Sequence, residues 1–163
     1  MRANAVGKKC SEVERAYIAG FLDADGAIMA VIEPHIEKRY KFRVRVALKI
    51  TQHDRKILDW IRKVLSVGIV RANRLGQKGQ TFDLHIRDRI QVQTMLKLLM
   101  PHLRVKERQA EMALEILSRK IESSKDLIKN ARLADASSRF NVRSKNRRKN
   151  FVTKIQEHLS PND

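Results

Sequence analysis

The sequence is poor in the residues that define several non-globular classes of protein. Its 163 residues include only 6 Gly, 3 Pro and 1 Cys, and aromatic residues make up 5%. So few Gly and Pro exclude a collagen-like or low-complexity chain, and a hydrophobic content of 42% excludes a chain too polar to fold. No run approaches about 18 consecutive apolar residues, so we expect no membrane span.

A single cysteine, Cys10, cannot form a disulfide within the chain. This favours a reducing compartment, and the polar N-terminus lacks the apolar run of a secretory signal peptide. We therefore expect a cytoplasmic or organellar protein with the length of one domain, long enough to bury a core without disulfides or structural metal.

Acidic residues are scarce as well. There are 18 Asp and Glu against 35 Lys and Arg, which gives a formal net charge of +17 and a pI near 10.6. Such a balance in a folded chain favours a polyanionic partner, with nucleic acid first. An anionic membrane surface or an acidic protein remains the alternative at this point.

The positive charge is concentrated in two segments. Residues 38–49 contain no acid, and residues 40–50 alternate between apolar and mainly basic side chains, as in a half-buried strand. Four cations on one strand face, without an anion to neutralise them, favour a bound polyanion over a merely solvated face. Residues 139–149 also contain only basic charges and read as a loop suited to phosphate contact, or as a localisation signal or disordered tail.

Hydrophobic periodicity and capping residues predict an α+β fold. Ser11 with Glu14 predicts a helix start at Glu12, Asp54 and Asp88 are expected to cap two further helices, and Gly68 is expected to end the first of these two. The predicted helices span 12–25, 55–66, 89–100, 104–121, 124–134 and 151–159, and the predicted strands span 27–33, 40–50, 69–74 and 80–87.

This order is an αββαββα core with one antiparallel sheet, helices on one face of the sheet and basic side chains on the other, followed by C-terminal helices. We expect an N-terminal arm at 1–10, the core at 11–121 and a helical extension at 122–163 that carries the basic loop 139–149.

The stretch from Ile18 to Gly26 is the most specific feature of the sequence. Four small residues lie in or at the end of a predicted helix, although Gly in a helix costs about 1 kcal/mol relative to Ala. Small residues suit places where two backbones approach closely. They are Ala19, Gly20, Ala24 and Gly26.

Two carboxylates, Asp23 and Asp25, stand at the C-terminal end of the same predicted helix. The helix dipole is negative there, so both charges are disfavoured. A divalent cation shared by the carboxylates and the free helix-end carbonyls would relieve the repulsion. The alternative is a helix stop with two solvated acids.

Residues 18–26 resemble the LAGLIDADG motif, with Ile18 and Phe21 in place of Leu and Leu22 in place of Ile. Residues 49–52 (KITQ) and 101–110 (PHLRVKERQA) are similar to the single-motif, homodimeric homing endonucleases, so the resemblance covers about 11–121. It implies a metal-dependent endonuclease that cleaves double-stranded DNA at a long, nearly palindromic site and promotes the mobility of its intron or intein. The implied fold is a homodimer whose curved sheets form a DNA-binding saddle.

The resemblance also implies roles for individual residues. Asp25 would bind the metal beside the backbone carbonyl of Ala24, and Asp23 would be a structural hydrogen-bond acceptor. Gln52 would orient water, and Lys106 would stabilise charge at the scissile phosphate. Lys56 would belong to the same network, or Arg55 if the register slips by one. The expected ion is Mg²⁺, with Mn²⁺ or Ca²⁺ as substitutes for binding.

With a single motif, the dimer interface is expected on the motif helix, at Tyr17, Ile18, Gly20, Phe21 and Ala24. The DNA-binding candidates come from the sheet face, the strand connections and the basic loop. They are Met29, Val31, Glu33, His35, Arg39, Tyr40, Lys41, Arg43, Arg45, Lys49, Arg71, Asn73, Arg74, Asp83, His85, Arg143 and Lys145.

Side-chain chemistry suggests what some of these candidates contact. Arg43 and Arg45 suit guanine, and Glu33 or Asp83 could accept a hydrogen bond from cytosine or steer an arginine. Met29 and Val31 are apolar, so they contact thymine methyls or indicate a strand register shifted by one.

The alternative function is a relative that no longer cleaves, acting as an intron RNA maturase or a DNA-binding regulator. The three residues Asp25, Gln52 and Lys106 favour the nuclease, because a protein that only binds has no use for a carboxylate that faces phosphate. A structural RNA-binding protein would leave residues 18–26 unexplained.

Overall fold

Helices and strands follow one another in the predicted order. The computed structural model describes residues 6–7, 9–73, 79–141 and 149–159. The helices are α1 (Glu12–Asp25), α2 (Arg55–Leu65), α3 (Arg89–Leu99), α4 (Glu107–Ser118), α5 (Ser124–Asn141) and α6 (Phe151–Leu159). The strands are β1 (Gly26–Pro34), β2 (Phe42–Gln52), β3 (Ile69–Asn73) and β4 (Thr81–Ile86). Within these ranges, no helix is long and apolar enough to cross a membrane.

The strands form one antiparallel sheet in the order β1-β2-β4-β3. Gly26 at the start of β1 lies opposite Ile50 near the end of β2, and Gln52 lies opposite Phe82 of β4. Because α1 runs directly into β1, this register brings the C-terminal end of α1 beside the end of β2.

One face of the sheet is apolar and packs against the helices. Leu48 lies at its centre, fully buried between its cross-strand partners Ile28 and Ile86. Each buried Leu or Ile side chain stabilises the fold by about 1.5–3 kcal/mol, and truncating Leu48 to Ala would cost about 2–5 kcal/mol. The helices contribute Leu22, Leu58, Ile61, Leu65, Met95, Leu96, Leu99, Ala113 and Ile116 to the same core.

Local signals predict several boundaries correctly. Helix α1 begins at Glu12 with the full capping box between Ser11 and Glu14, and α6 spans the predicted residues. Asp54 caps α2 and Asp88 caps α3, each accepting a hydrogen bond from a backbone N–H two or three residues ahead. The strands agree with the prediction to within two residues at each end.

Helices α4 and α5 differ from the prediction. Helix α4 begins at Glu107 rather than Arg104, because the carboxylate of Asp23 binds the backbone N–H groups of residues 104–106. It ends at Ser118 because Arg119 is extended. Helix α5 continues to Asn141 instead of stopping near Ala134. Buried residues recur at helical spacing after the buried Ala134, at Ser137 and Ser138.

The end of α2 also differs. Ser66 takes the left-handed conformation (φ 55°) and terminates the helix at Leu65, three residues before Gly68. Gly68 instead forms the tight turn into β3. It has a φ of 79°, and a Cβ there would lie 2.8 Å from the carbonyl oxygen of His85.

The predicted arm and extension join the central core. Val6 and Cys10 are buried, and the N–H of Gly7 donates to the carbonyl of Leu65 at 3.0 Å. From the C-terminal part, Ala131 and Ile155 are fully buried in the same apolar cluster. The basic loop was expected to begin at Arg139, but residues 139–141 are helical and residues 142–148 lie outside the described part of the chain.

Candidate active site and nucleic-acid interface

Helix α1 ends where β1 begins, and this junction presents Asp25 at the surface. The N–H of Gly26 donates to the carbonyl of Leu22, which closes the last turn of the helix. A Cβ on Gly26 would lie 2.6 Å from that carbonyl oxygen, so only glycine allows the helix to pass straight into the strand.

Three of the four predicted catalytic residues, Asp25, Gln52 and Lys106, meet at this end of α1. The side-chain amide of Gln52 donates to Asp25 Oδ2 at 2.5 Å, a contact made possible by the pairing of β1 with β2. Lys106 Nζ donates to the backbone carbonyl of Asp23, so its charge lies at the negative end of the helix dipole.

Asp23 connects α1 to the segment that carries Lys106. Its carboxylate accepts hydrogen bonds from the backbone N–H groups of Arg104, Val105 and Lys106 at 2.7, 3.2 and 2.9 Å. This agrees with the structural acceptor role implied by the resemblance. The contact fixes Lys106 relative to the end of α1 across more than eighty residues of sequence.

Neither Lys56 nor Arg55 joins this group. Lys56 is exposed, and its side chain has no hydrogen bond or ion pair with any residue in the described ranges. Arg55 binds Asp59 at 3.1 Å and lies over the ring of Phe82, 5.9 Å from its centroid. The role implied for Lys56 therefore stays a prediction.

A single chain offers an incomplete set of metal ligands. No group of three or more His, Cys, Asp or Glu residues that could hold a metal occurs among the residues described. The exposed carboxylate of Asp25 and the helix-end carbonyl of Ala24 are oxygen donors of the type that Mg²⁺ prefers. Because Mg²⁺ is usually bound through one or two carboxylates together with substrate phosphates, these residues fit the expected ion.

The outward face of α1 is apolar. Tyr17 is 52% exposed, Gly20 and Ala24 are exposed, and a Cβ on Gly20 would meet nothing within 4 Å. Phe21 is half-buried and, like Trp60 of α2, contacts the ring of Tyr17 edge-on. Ile18 was predicted wrongly as an interface residue, because it points into the core and is fully buried.

Sequence reasoning missed other members of this exposed stripe. Val13 is 79% exposed and Ala16 is exposed, both on the side of Tyr17 and Gly20. The i, i+4 and i+7 spacing of positions 13, 17 and 20 would have revealed them, and it would have separated them from Ile18.

Most of the DNA-binding candidates in the strands share the second face of the sheet, the polar face. Cross-strand pairing places Met29 opposite Ala47 and Val31 opposite Arg45, which excludes the one-residue register shift. The other members are Glu33, Arg43, Lys49, Arg71, Asn73, Asp83 and His85. Arg74, Arg143 and Lys145 lie outside the described residues.

The candidates between β1 and β2 are oriented differently. Lys41 lies outside the strand because it adopts the left-handed conformation (φ 58°), and its ammonium group binds the carbonyl of Ile36. The side chains of Tyr40 and Arg39 donate to the carbonyl of Glu122 just before α5. These polar groups are therefore directed at their own chain instead of the polar face. His35 lies in the same connection, where its backbone N–H donates to the backbone carbonyl of Lys41.

The polar face is not a row of unpaired cations, which corrects the prediction. Arg45 pairs with Glu33 at 3.1 Å, and Lys49 Nζ lies 3.6 Å from Asp83. Arg43 forms no ion pair with a described residue. Burial, followed by the nearby charge of Arg87, lowers the pKa of His85, so this imidazole is neutral near pH 7.

Arg87 is a further cation that sequence reasoning missed. It is exposed, it continues the alternation of Asp83 and His85 beyond β4, and it lines recesses on both sides of that strand end. One recess, about 560 Å³, reaches from Met29 and Val31 to Ser138 at the end of α5 and to Lys149.

The family model for the LAGLIDADG endonucleases matches residues 18–108, more than half of the chain. The chain therefore belongs to the LAGLIDADG endonuclease family.

Individual relatives agree with this assignment. The chain is 35% identical to DNA endonuclease I-CvuI of Chlorella vulgaris over 129 residues, which cover 76% of this chain and 77% of that protein. It is 30% identical to I-CreI of Chlamydomonas reinhardtii over 103 residues, 62% of this chain and 60% of that protein. The solved complex of I-CvuI with the I-CreI target has a TM-score of 0.80 at 30% identity, covering 91% of this chain and 93% of that one.

Proposed function

We propose that two copies of this chain bind one DNA duplex and hydrolyse a phosphodiester bond in each strand of a long, nearly palindromic site. The observation that carries the proposal is the cluster of Asp25, Gln52 and Lys106 at the end of a helix whose exposed side is apolar. The relatives I-CvuI and I-CreI are DNA endonucleases, which favours DNA cleavage over the RNA alternative.

The exposed stripe of α1 supports a symmetric dimer. Val13 and Tyr17 offer apolar surface, while Gly20 and Ala24 leave room for close approach of an identical helix. In such an isologous contact each residue meets its own copy or a near neighbour. The two Asp25 carboxylates would then lie on the same side of the dimer, at adjacent helix ends.

Each chain would supply the same set of groups to the reaction. Asp25 and the carbonyl of Ala24 would hold a divalent ion, and Gln52 would keep the Asp25 carboxylate in one orientation. A bound Mg²⁺ ion neutralises phosphate charge and makes water a stronger nucleophile. Lys106 would place a fixed positive charge where negative charge develops on the phosphate. The relative I-CvuI has been solved with DNA in the presence of Mg, where the DNA is not cleaved, and in the presence of Ca, which supports a divalent ion.

The polar face of the sheet would bind the DNA grooves. Its cations are Arg43, Arg45 and Lys49 on β2, Arg71 on β3, and Arg87 just after β4. Arg43 and Arg45 are the residue type that recognises guanine through two hydrogen bonds. Cleavage at one long site would serve the mobility of the intron or intein that encodes the protein.

The experiment is cleavage of a library of random DNA duplexes with Mg²⁺ and with a chelator, followed by sequencing of the ends. We expect cuts at one nearly palindromic sequence with Mg²⁺ and none with the chelator. Two results would contradict the proposal. One is binding without cleavage in every divalent ion tested, and the other is cleavage that continues when the chelator is present.

A further inference from the structure

Asp83 differs from the other acid on the polar face. Its side chain is only 10% exposed, whereas the side chain of Glu33 is 42% exposed. Asp83 lies on β4 between two strands, with Thr51 of β2 and Arg71 of β3 as its cross-strand partners. Burying a carboxylate costs free energy unless the carboxylate is paired and hydrogen-bonded, so Asp83 needs partners that compensate its burial.

Both carboxylate oxygens of Asp83 already have partners. Thr51 Oγ1 donates to Oδ1 at 2.6 Å. Lys49 Nζ lies 3.6 Å from Oδ2, and His85 Nε2 lies 3.5 Å from the same oxygen. A residue that reads cytosine needs a free acceptor facing the groove. The carboxylate of Asp83 is instead nearly buried and contacts these three partners, so it does not suit the direct reading role that its residue type suggested.

Two partners of Asp83, Lys49 and His85, remain partly exposed to solvent, although Asp83 itself is nearly buried. The side chain of Lys49 is 31% exposed and that of His85 is 23% exposed. They are direct cross-strand neighbours on the polar face, so the carboxylate lies beneath a pair of side chains that can reach a base. A lysine side chain loses rotamer entropy when it is fixed, and an ion pair that exists before DNA binds has already restricted part of that freedom.

We propose that Asp83 is a positioning residue for DNA recognition, which holds Lys49 and His85 in the geometry that selects one base pair. The proposal rests on the proposed DNA-binding function. Thr51 fixes the carboxylate, the carboxylate restrains Lys49 and His85, and these two side chains contact the base edges. Without the acid, Lys49 is free to swing to any nearby phosphate, which adds affinity but no sequence information.

The test measures binding of the full-length protein to its target randomised one position at a time, with Ca²⁺ in place of Mg²⁺. For Asp83→Asn we expect discrimination at one position in each half-site to fall about tenfold, the size of a good side-chain–base contact. Affinity for unrelated DNA should stay the same or rise, because a negative charge has been removed.

Two further variants separate positioning from a merely structural effect. Thr51→Val keeps the charge but removes the hydrogen bond that orients it, so it should weaken discrimination at the same position, by less. Glu33→Gln, on the exposed acid paired with Arg45, should alter a different position. If Asp83→Asn does not fold, as judged by circular dichroism, the result for Thr51→Val decides.

The outcomes distinguish the two proposals. A wild-type protein that selects no sequence would contradict the proposed function itself. A wild-type protein that selects a sequence, together with unchanged profiles for Asp83→Asn and Thr51→Val, would overturn the positioning role alone. Uniform weakening at every position would also overturn it, since that is the signature of a structural defect.

Discussion

The end of α1 and the polar face of the sheet hold their charged side chains in different ways. At the end of α1, Asp23 and Lys106 are tied to backbone groups, and Gln52 binds Asp25 directly. On the polar face, Arg45 and Lys49 pair with acidic side chains on neighbouring strands.

This difference indicates that the end of α1 serves cleavage and the polar face serves recognition of the target sequence. Backbone-anchored groups suit the cleavage step, whose geometry must be the same at every phosphodiester bond. Side chains that pair with one another can be exchanged without disturbing the backbone, so the polar face can adapt to a new target sequence. Single substitutions should therefore have severe effects on cleavage at the end of α1 and graded effects on DNA binding on the polar face.

The largest effect is expected for Gly20→Leu. The Cβ position of Gly20 is open in the single chain, so a leucine fits the folded subunit but separates two copies packed along α1. Sedimentation should show a folded monomer, and cleavage should be lost. Lys97→Leu, at an exposed position of α3, is the control. A Gly20→Leu protein that stays dimeric would show that the interface lies elsewhere.

Lys106→Met should reduce cleavage by about 10²–10³-fold with little change in binding, since it removes one fixed charge at the developing anion. The backbone N–H of residue 106 still reaches Asp23, so the loop should keep its position. Single-turnover cleavage and filter binding on one duplex measure the two effects separately. Equal losses in both, or a loss matched by Lys97→Met, would argue against a role in the reaction.

Asp23→Ala should destabilise the fold, because three backbone N–H groups lose their acceptor. We expect a loss of about 1–3 kcal/mol in the free energy of unfolding, measured by denaturant titration. Asp59→Ala removes a mostly exposed ion pair with Arg55 and should cost under about 1 kcal/mol. Similar losses for both variants would mean that Asp23 does not anchor the loop.

On the polar face, Arg43→Gln should have a smaller effect. Arg43 is exposed and unpaired among the described residues, so its loss removes one DNA contact and leaves the fold intact. A base-reading role predicts a loss of about 1–3 kcal/mol confined to one position, and a phosphate contact predicts uniform weakening with a shallower salt dependence. If neither the base preference nor the salt dependence of binding changes, Arg43 does not belong to the DNA interface.

The smallest effect concerns His85 and pH. Because its folded pKa is lowered by burial and by Arg87, the unfolded chain takes up a proton at a higher pH than the folded chain. Stability should fall as the pH drops below about 6.5, until the folded imidazole is also protonated. His85→Gln should flatten this decline in thermal melts between about pH 7 and pH 5. An unchanged slope would contradict the assignment.

Sequence alone predicts the features that depend on local signals. The capping box at Ser11 and Glu14 determines the start of α1, and strict alternation identifies the polar face of β2. The start of α4 could not be predicted, because Asp23, far away in the chain, occupies the backbone groups before it. The turn at Lys41 depends on a left-handed backbone that a lysine does not signal.

Charge pairing across strands could be predicted only as an alternative, in which Glu33 or Asp83 steers an arginine, and the Glu33–Arg45 pair confirms it for Glu33. Glu33 lies on β1 and Asp83 on β4, so their contacts with Arg45 and Lys49 follow only once the antiparallel register is known. Ile18 shows a different error. The motif was taken as a whole, although helical spacing separates its buried side from its exposed side.

The most direct test of the account compares cleavage and binding by Asp25→Asn on one duplex that contains the cognate site. Asparagine keeps the size of the side chain and a hydrogen-bonding oxygen for Gln52 but removes the charge. We predict that cleavage in Mg²⁺ falls by about three orders of magnitude or more, while binding in Ca²⁺ changes by less than about tenfold. Glu111→Gln, at an exposed site on α4, should alter neither. Cleavage by Asp25→Asn at the wild-type rate would contradict the central claim.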